Sequence, residues 1–340
     1  MKSKFSNRKL LRGVLAIIPA SFAAAGALVY IAYRRDLKAA KARVSSGSKL
    51  ETTSSGLIEY ADVGTGAPVF VIHGAGGGFD QSLEFARPLI DGGFRVIAPS
   101  RFGYLRTPLP EDASPMAQAD AHACLLDALK LDKVAVIGVS AGAPSALQLC
   151  LRHPERCAAL VLVVPLAYGG HGADESAKKP TPMREFLIHT AVSSDFLFWA
   201  MSKLARDTMF RTILGTPPLD VEDCGAEENT RLTQFLAHIE PISRRKKGLQ
   251  NETAIARSLS RYDLESVRVP TLVVAVEDCL YNTYSGAHYT AENIRGARFI
   301  SYPKGGHLAV GHETELWSEV TQFLKGVHAV SHPASKVAGI

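Results

Sequence analysis

The chain has 340 residues, a formal net charge of +5 and 21% charged residues, enough length for one large α/β domain with additions. The positive charge is concentrated at the front: residues 1–50 hold eleven Lys+Arg and one acid, Asp36, whereas the other 290 hold 27 bases and 32 acids. The body is therefore net negative, and electrostatics give nucleic-acid binding no support.

In chain order, the first feature is Gly13 to Tyr33, 21 uncharged residues rich in Ala, Leu, Ile and Val. A helix of that length crosses the roughly 30 Å hydrocarbon layer, so a single-pass N-terminal membrane anchor is expected, with the membrane as a partner. The competing reading is a signal peptide cleaved among Ala23, Ala25 and Ala27, giving a secreted or periplasmic protein. Five bases precede the span and five follow it closely, so the positive-inside rule gives no orientation. Residues 34–56 read as a juxtamembrane helix and a Ser/Thr/Gly linker. The expected organisation is an anchor segment over 1–50, a folded domain over 51–330 and a tail over 331–340.

From residue 57 the pattern alternates between strand and helix, which predicts a mostly parallel sheet flanked by helices. Leu57 to Val63 and Pro68 to Ile72 read as strands around a hairpin-like turn, Gly64-Thr65-Gly66. Asp80 to Ile90 reads as a helix and Phe94 to Ala98 as a strand. Ser114 to Leu131 reads as a helix with serine as cap and proline first. After the strand Ala158 to Val164 the pattern breaks. Residues 166–266 read as a helical insertion, expected to cap the strand C-termini where open α/β sheets bind ligands. Its aromatics (Phe186, Phe196, Phe198, Trp199, Phe210 and Phe235) are expected to be mostly core, with some facing substrate; Arg244 to Lys247 reads as a solvated loop. Strands at Thr271 to Val276 and Arg298 to Tyr302 and helices at Gly286 to Ile294 and Glu313 to Val327 complete the order.

The most informative stretch is Lys133 to Arg152, KVAVIGVSAGAPSALQLCLR. An apolar run suited to a doubly buried strand meets a tight G-V-S-A-G and then a helix start. Gly138 and Gly142 stand two residues either side of Ser140, where side chains would collide. That corner exposes the serine hydroxyl as a nucleophile, with helix N–H groups aimed at it. His73-Gly74-Ala75-Gly76-Gly77-Gly78 follows a strand end. The amide of Ala75 (or Gly74), paired with that of Ala141, is the expected oxyanion hole. His73 reads as an orienting residue. A base should come late, and Tyr302-Pro303-Lys304-Gly305-Gly306-His307 supplies one after the last strand, ahead of His288, His312 and His328. Five cysteines at 124, 150, 157, 224 and 279 show no metal spacing, and the first three read as small buried hydrophobes. No metal and no cofactor are expected.

Taken in order, H-G-A-G-G-G, S-R-F-G, G-V-S-A-G, P-T-L-V-V-A-V-E-D and G-G-H resemble the α/β-hydrolase superfamily over about residues 57–326. The resemblance implies an eight-stranded, mostly parallel sheet, a helical cap before the penultimate strand, and a Ser–Asp–His triad in that chain order. It also implies hydrolysis through an acyl-enzyme without a cofactor. One position departs from the family pattern: aligning Pro270-Thr271-Leu272 puts Cys279 where the acid usually stands. A one-residue shift brings in Asp278, which is favoured; Glu277, or an acid from elsewhere in the chain, is the alternative. The reading is a serine hydrolase of ester-like, apolar small molecules, with Ser140 as nucleophile, His307 as base, Asp278 as acid and Ala75 and Ala141 as oxyanion donors. Carbon–carbon hydrolase, lactonase and thioesterase chemistry stay open. A catalytically weak, anchored small-ligand-binding module of the same fold is the alternative function.

Overall fold

The structure is a computed structural model that describes residues 3–169 and 182–331. Residues 1–2, 170–181 and 332–340 lie outside the described residues; they include part of the expected cap and nearly all of the expected tail. The body is an eight-stranded sheet: β1 (Lys49–Thr53), β2 (Gly56–Val63), β3 (Pro68–Ile72), β4 (Arg95–Pro99), β5 (Val134–Val139), β6 (Cys157–Val163), β7 (Thr271–Val276) and β8 (Arg298–Tyr302). Their spatial order is β1-β2-β4-β3-β5-β6-β7-β8, antiparallel at β1-β2 and β2-β4 and parallel elsewhere.

The central strands form where the sequence is apolar at every position, because both faces are covered. Phe70 and Ile72 of β3 point into one hydrophobic layer while Val69 and Val71 point into the other. The first layer is closed by α4 (Pro115–Ala128), α5 (Ala143–Arg152) and α12 (Thr283–Asn293). The second is closed by α2 (Phe79–Phe85), α3 (Arg87–Asp91) and α13 (Glu313–Ser331). Ser114 caps α4 by accepting the Ala117 N–H, with Pro115 at the first position.

Two sequence expectations fail at the antiparallel edge. The turn at 64–66 does not close a hairpin, because β4 lies between β2 and β3. The linker reading missed β1, a half-exposed edge strand with one apolar residue, Leu50, and so no periodic signal.

Among the described residues, six α-helices stand between β6 and β7: α6 (Pro182–Ala191), α7 (Asp195–Leu204), α8 (Arg206–Ile213), α9 (Pro218–Asp223), α10 (Ala226–His238) and α11 (Lys246–Arg257). Their own core holds Phe198, Met209, Phe210, Leu232 and Leu236, while Phe186 and Phe196 are exposed. Arg245, read from sequence as part of a solvated loop, is fully buried. Its guanidinium grips the Asp80 carboxylate and the His238 carbonyl and so ties the cap to the body. A charge run seen without its partner gives no sign of such an ion pair.

The membrane anchor expected over Gly13 to Tyr33 is also corrected. Those residues belong to one helix, α1 (Ser3–Val44), and among the described residues no helix is long and apolar enough to cross a membrane. The end of the apolar run meets protein instead. Tyr33 packs against Phe196 and Trp199, and Asp36 accepts the Trp199 indole N–H at 3.0 Å. Leu37, Ala40 and Val44 form a buried stripe at helical spacing. Arg43 pairs with Asp80 and donates to the His238 and Glu240 carbonyls.

Candidate active site

β5 ends at Val139 and the chain turns directly into helix at Ser140. Ser140 has φ +50°, a left-handed conformation that costs a non-glycine residue about 1–3 kcal/mol. The surroundings enforce it. A Cβ on Gly142 would stand 2.4 Å from the Ile72 carbonyl, and one on Gly138 would stand 2.7 Å from the Ala146 methyl. The Ser140 carbonyl accepts the Leu166 N–H at 3.0 Å, which leaves the hydroxyl facing a cleft.

On the neighbouring strand end, the Gly74 peptide is held on both sides. Its N–H donates to Gln81 Oε1 at 3.1 Å, and its carbonyl accepts from Arg101 Nη2 at 3.1 Å. His73 Nε2 accepts the Arg101 backbone N–H at 3.0 Å, so its proton is on Nδ1, 2.7 Å from the Gly74 carbonyl. Burial, reinforced by Arg101, holds the His73 imidazole well below its ordinary pKa, in the neutral form this pattern requires. Arg101 is buried and paired with Glu252 of the cap. Ala75, next in the chain, lines the cleft opposite Ser140, and Ala141 begins the turn after it.

His307 reaches the serine from the loop after β8: Nε2 lies 2.8 Å from Ser140 Oγ. His307 is 8% exposed, and its ring meets the Tyr281 ring at nearly a right angle with centroids 4.9 Å apart. The other histidines are elsewhere: His312 stacks on Tyr302, and His288 packs against Phe299. The Gly215 carbonyl, between α8 and α9, accepts both the His307 N–H at 3.2 Å and the Leu280 N–H at 3.0 Å. The cap thus pins the two loops that end β7 and β8.

The acid position differs from the sequence expectation. Asp278 does not face the imidazole; its carboxylate accepts the Gly305 and Gly306 amides at 3.3 and 2.8 Å. Glu277 is exposed. The group at His307 Nδ1 is Cys279, whose Sγ lies 3.1 Å away. The turn closed by the Cys279 N–H on the Val276 carbonyl presents Asp278 to the glycine loop and Cys279 to the ring. Behind Asp278 lies Asp220, whose carboxyl is pushed up to about 6 by burial and then by Asp278 itself. Counting from Pro270 already put Cys279 at this position. Tyr281 and Gly215 carried no sequence signal, because each matters through a partner far away in the chain; Arg101 stood in the S-R-F-G motif without a role, and Thr283 acts on Cys279 four residues before it.

The cleft between cap and body encloses about 750 Å3, its open mouth included. Ser140, His307 and Ala75 share it with Phe85, Val163, Leu214, Phe235 and Trp317. Phe235 is thus one cap aromatic that faces the cleft. The charged lining is mutually satisfied: Arg231 Nε sits 2.7 Å from Glu228 and 3.1 Å from Glu313. Burial raises the Glu313 carboxyl above its usual range, more than Arg231 lowers it. Among the described residues no cluster of three or more His, Cys, Asp or Glu is arranged to hold a metal ion.

An eight-stranded sheet in this order, with a strained serine corner and a histidine after the last strand, defines an α/β-hydrolase architecture. A family model for the alpha/beta hydrolase fold matches residues 67–313, so the chain belongs to that family and is a hydrolase of that fold. It is 31% identical over 280 residues to 2-hydroxy-6-oxo-6-phenylhexa-2,4-dienoate hydrolase of Comamonas testosteroni, covering 78% of this chain and 88% of that one. It is 26% identical over 269 residues to an uncharacterized hydrolase, YcgS, of Bacillus subtilis (strain 168), covering 76% and 90%. Among solved structures it resembles an alpha/beta hydrolase fold protein from Nakamurella multipartita, with TM-score 0.63 and 26% identity over 82% of this chain and 99% of that one.

Proposed function

We propose that the protein is a serine hydrolase that cleaves a neutral, apolar ester through an acyl-enzyme. The 2.8 Å approach of His307 Nε2 to Ser140 Oγ at the mouth of an apolar cleft carries the reading. Ser140 Oγ attacks the carbonyl carbon as His307 Nε2 takes its proton. The Ala75 and Ala141 amides receive the oxyanion. His307 then gives the proton to the departing alkoxide. Water, deprotonated by the same nitrogen, releases the acid and restores the serine.

The charge of the cleft supports a neutral substrate. Arg231 is shared by two carboxylates, Glu228 and Glu313, so this corner is net negative when both are ionised and would repel an anionic tail. The Comamonas relative's substrate, a dienoate by its printed name, carries such a tail. Carbon–carbon cleavage of a hydroxy-oxo-dienoate is therefore the second reading, favoured by that relative's identity rather than by the cleft.

The test has two stages. A fluorophosphonate probe should label the wild-type protein and fail on Ser140→Ala. Then p-nitrophenyl esters of graded acyl length are compared with 2-hydroxy-6-oxo-6-phenylhexa-2,4-dienoate. Ester kcat/KM above that for the dienoate by tenfold or more supports the proposal, and the reverse order replaces it. No labelling at all would favour a binding module of the same fold.

A further inference from the structure

We infer that Cys279 is a positioning residue for His307, its sulfur acting as a thiolate that holds the imidazole proton on Nδ1. This rests on the serine-hydrolase reading of Ser140 and His307. Cys279 is 3% exposed, and its Sγ lies 3.1 Å from His307 Nδ1. The Thr283 hydroxyl donates to the same sulfur at 3.2 Å. Thr283 opens α12, so the positive end of that helix also points there. Burial pushes the thiol up, but the adjacent imidazole and the Thr283 hydroxyl and amide outweigh it and bring it down to about 7.

The other groups around the pair face elsewhere. Ser140 occupies Nε2, and the Tyr281 ring packs against the imidazole at nearly a right angle. Asp278 is turned to the Gly305 and Gly306 amides with Asp220 behind it, and Lys304 adjoins that pair. Arg231 and Glu313 line the same cleft and are paired with each other.

Proton bookkeeping makes the protonation state of the sulfur decisive. A neutral thiol can donate S–H to Nδ1, which leaves the ring proton on Nε2, the nitrogen that must accept from Ser140. The singly deprotonated pair, whether written as thiol and imidazole or as thiolate and imidazolium, carries that Nε2 proton. The hydroxyl then has no base. Only after a second proton leaves does the thiolate accept from Nδ1–H and Nε2 present a lone pair. A carboxylate in this place is already ionised, so one proton would have to leave instead of two.

The test is the rate of fluorophosphonate labelling of Ser140 between about pH 5 and 9. Below its plateau the wild type should lose rate with a slope approaching two. Cys279→Asp should show a slope of one and a limb displaced to lower pH. Cys279→Ser, which cannot ionise, should lose about 100-fold on the plateau. Thr283→Val should move the wild-type limb upward. Independently of any substrate, ultraviolet thiolate absorbance, referenced to Cys279→Ser, should titrate near neutrality and shift upward in His307→Gln.

Cys279→Ser with wild-type rates and an unchanged limb would overturn the inference. So would a wild-type thiol that titrates no lower than a free cysteine, or loss of labelling in Asp278→Asn but not in Cys279→Ser. If the wild type resists the probe while its thiol still titrates with His307, the hydrolase reading fails and the Cys279–His307 pairing stands.

Discussion

The corner after β5 and the loop after β7 end two strands of the same sheet, and both deliver a side chain to His307. They are built on different principles. At the corner, backbone atoms crowd Gly138 and Gly142 and force Ser140 into a left-handed conformation, so residue types are dictated by contact. After β7 the backbone makes an ordinary turn, and Asp278 or Cys279 could reach the imidazole by a small change of register. Rigid geometry constrains sequence, whereas a loop held by side chains lets chemically different residues share the task.

The largest effect that sharpens this contrast is expected at the corner. Gly142→Ala puts a methyl against two backbone carbonyls, of Ile72 and His73, and should destabilise the protein by about 3 kcal/mol in denaturant unfolding. Gly326→Ala in α13, with open space around it, should instead stabilise by up to about 1 kcal/mol. If both substitutions were equally silent, the corner would not be the constrained element.

An intermediate effect is expected at Asp278. Asp278→Asn keeps one acceptor for the Gly306 amide but turns a donor toward Gly305. The His307 loop should loosen, with kcat/KM down about tenfold and the shape of the acid limb unchanged. A change in limb shape would make Asp278 a direct partner of the ring.

The smallest effect is expected at Asp220. Its carboxyl, raised to about 6 by burial and by Asp278, binds protons more tightly when folded than when unfolded. The ionised form therefore works against folding, and stability should fall as pH rises through about 4 to 6. Asp220→Asn should raise Tm at pH 7 and leave it unchanged near pH 4, where the wild-type group is already neutral. Thermal melts at the two pH values decide it.

What the sequence disclosed follows the same division. The strands from β3 through β7 were legible because burial on both faces writes continuous apolar runs, and Ser140 because its corner requires small neighbours. β1 was not legible, since a half-exposed edge strand can be polar. Arg245 was misread because a guanidinium in a run of four bases looks solvated until Asp80, 165 residues away, is placed beside it. The apolar run ending at Tyr33 resembled a membrane span by length and composition alone; Tyr33 packs on Phe196 and Trp199 of the cap, while Leu28, Val29, Tyr30 and Ile31 are exposed. Cys279 was visible by counting. Its contact with His307 depended on which way a turn faces, and residue spacing does not encode that.

The carbonyl of Gly215 makes the lid of this enzyme a latch on its own machinery. Swinging the lid outward would release the amides of Leu280 and His307 together, freeing the loop that carries the imidazole and the one that steadies it. On the proposed roles of Ser140 and His307, an open molecule would be an idle one, and bulk water entering during exchange of ligands would meet a serine without its base. Amide hydrogen exchange at those two positions, rising and falling in concert, would be the mark of that coupling.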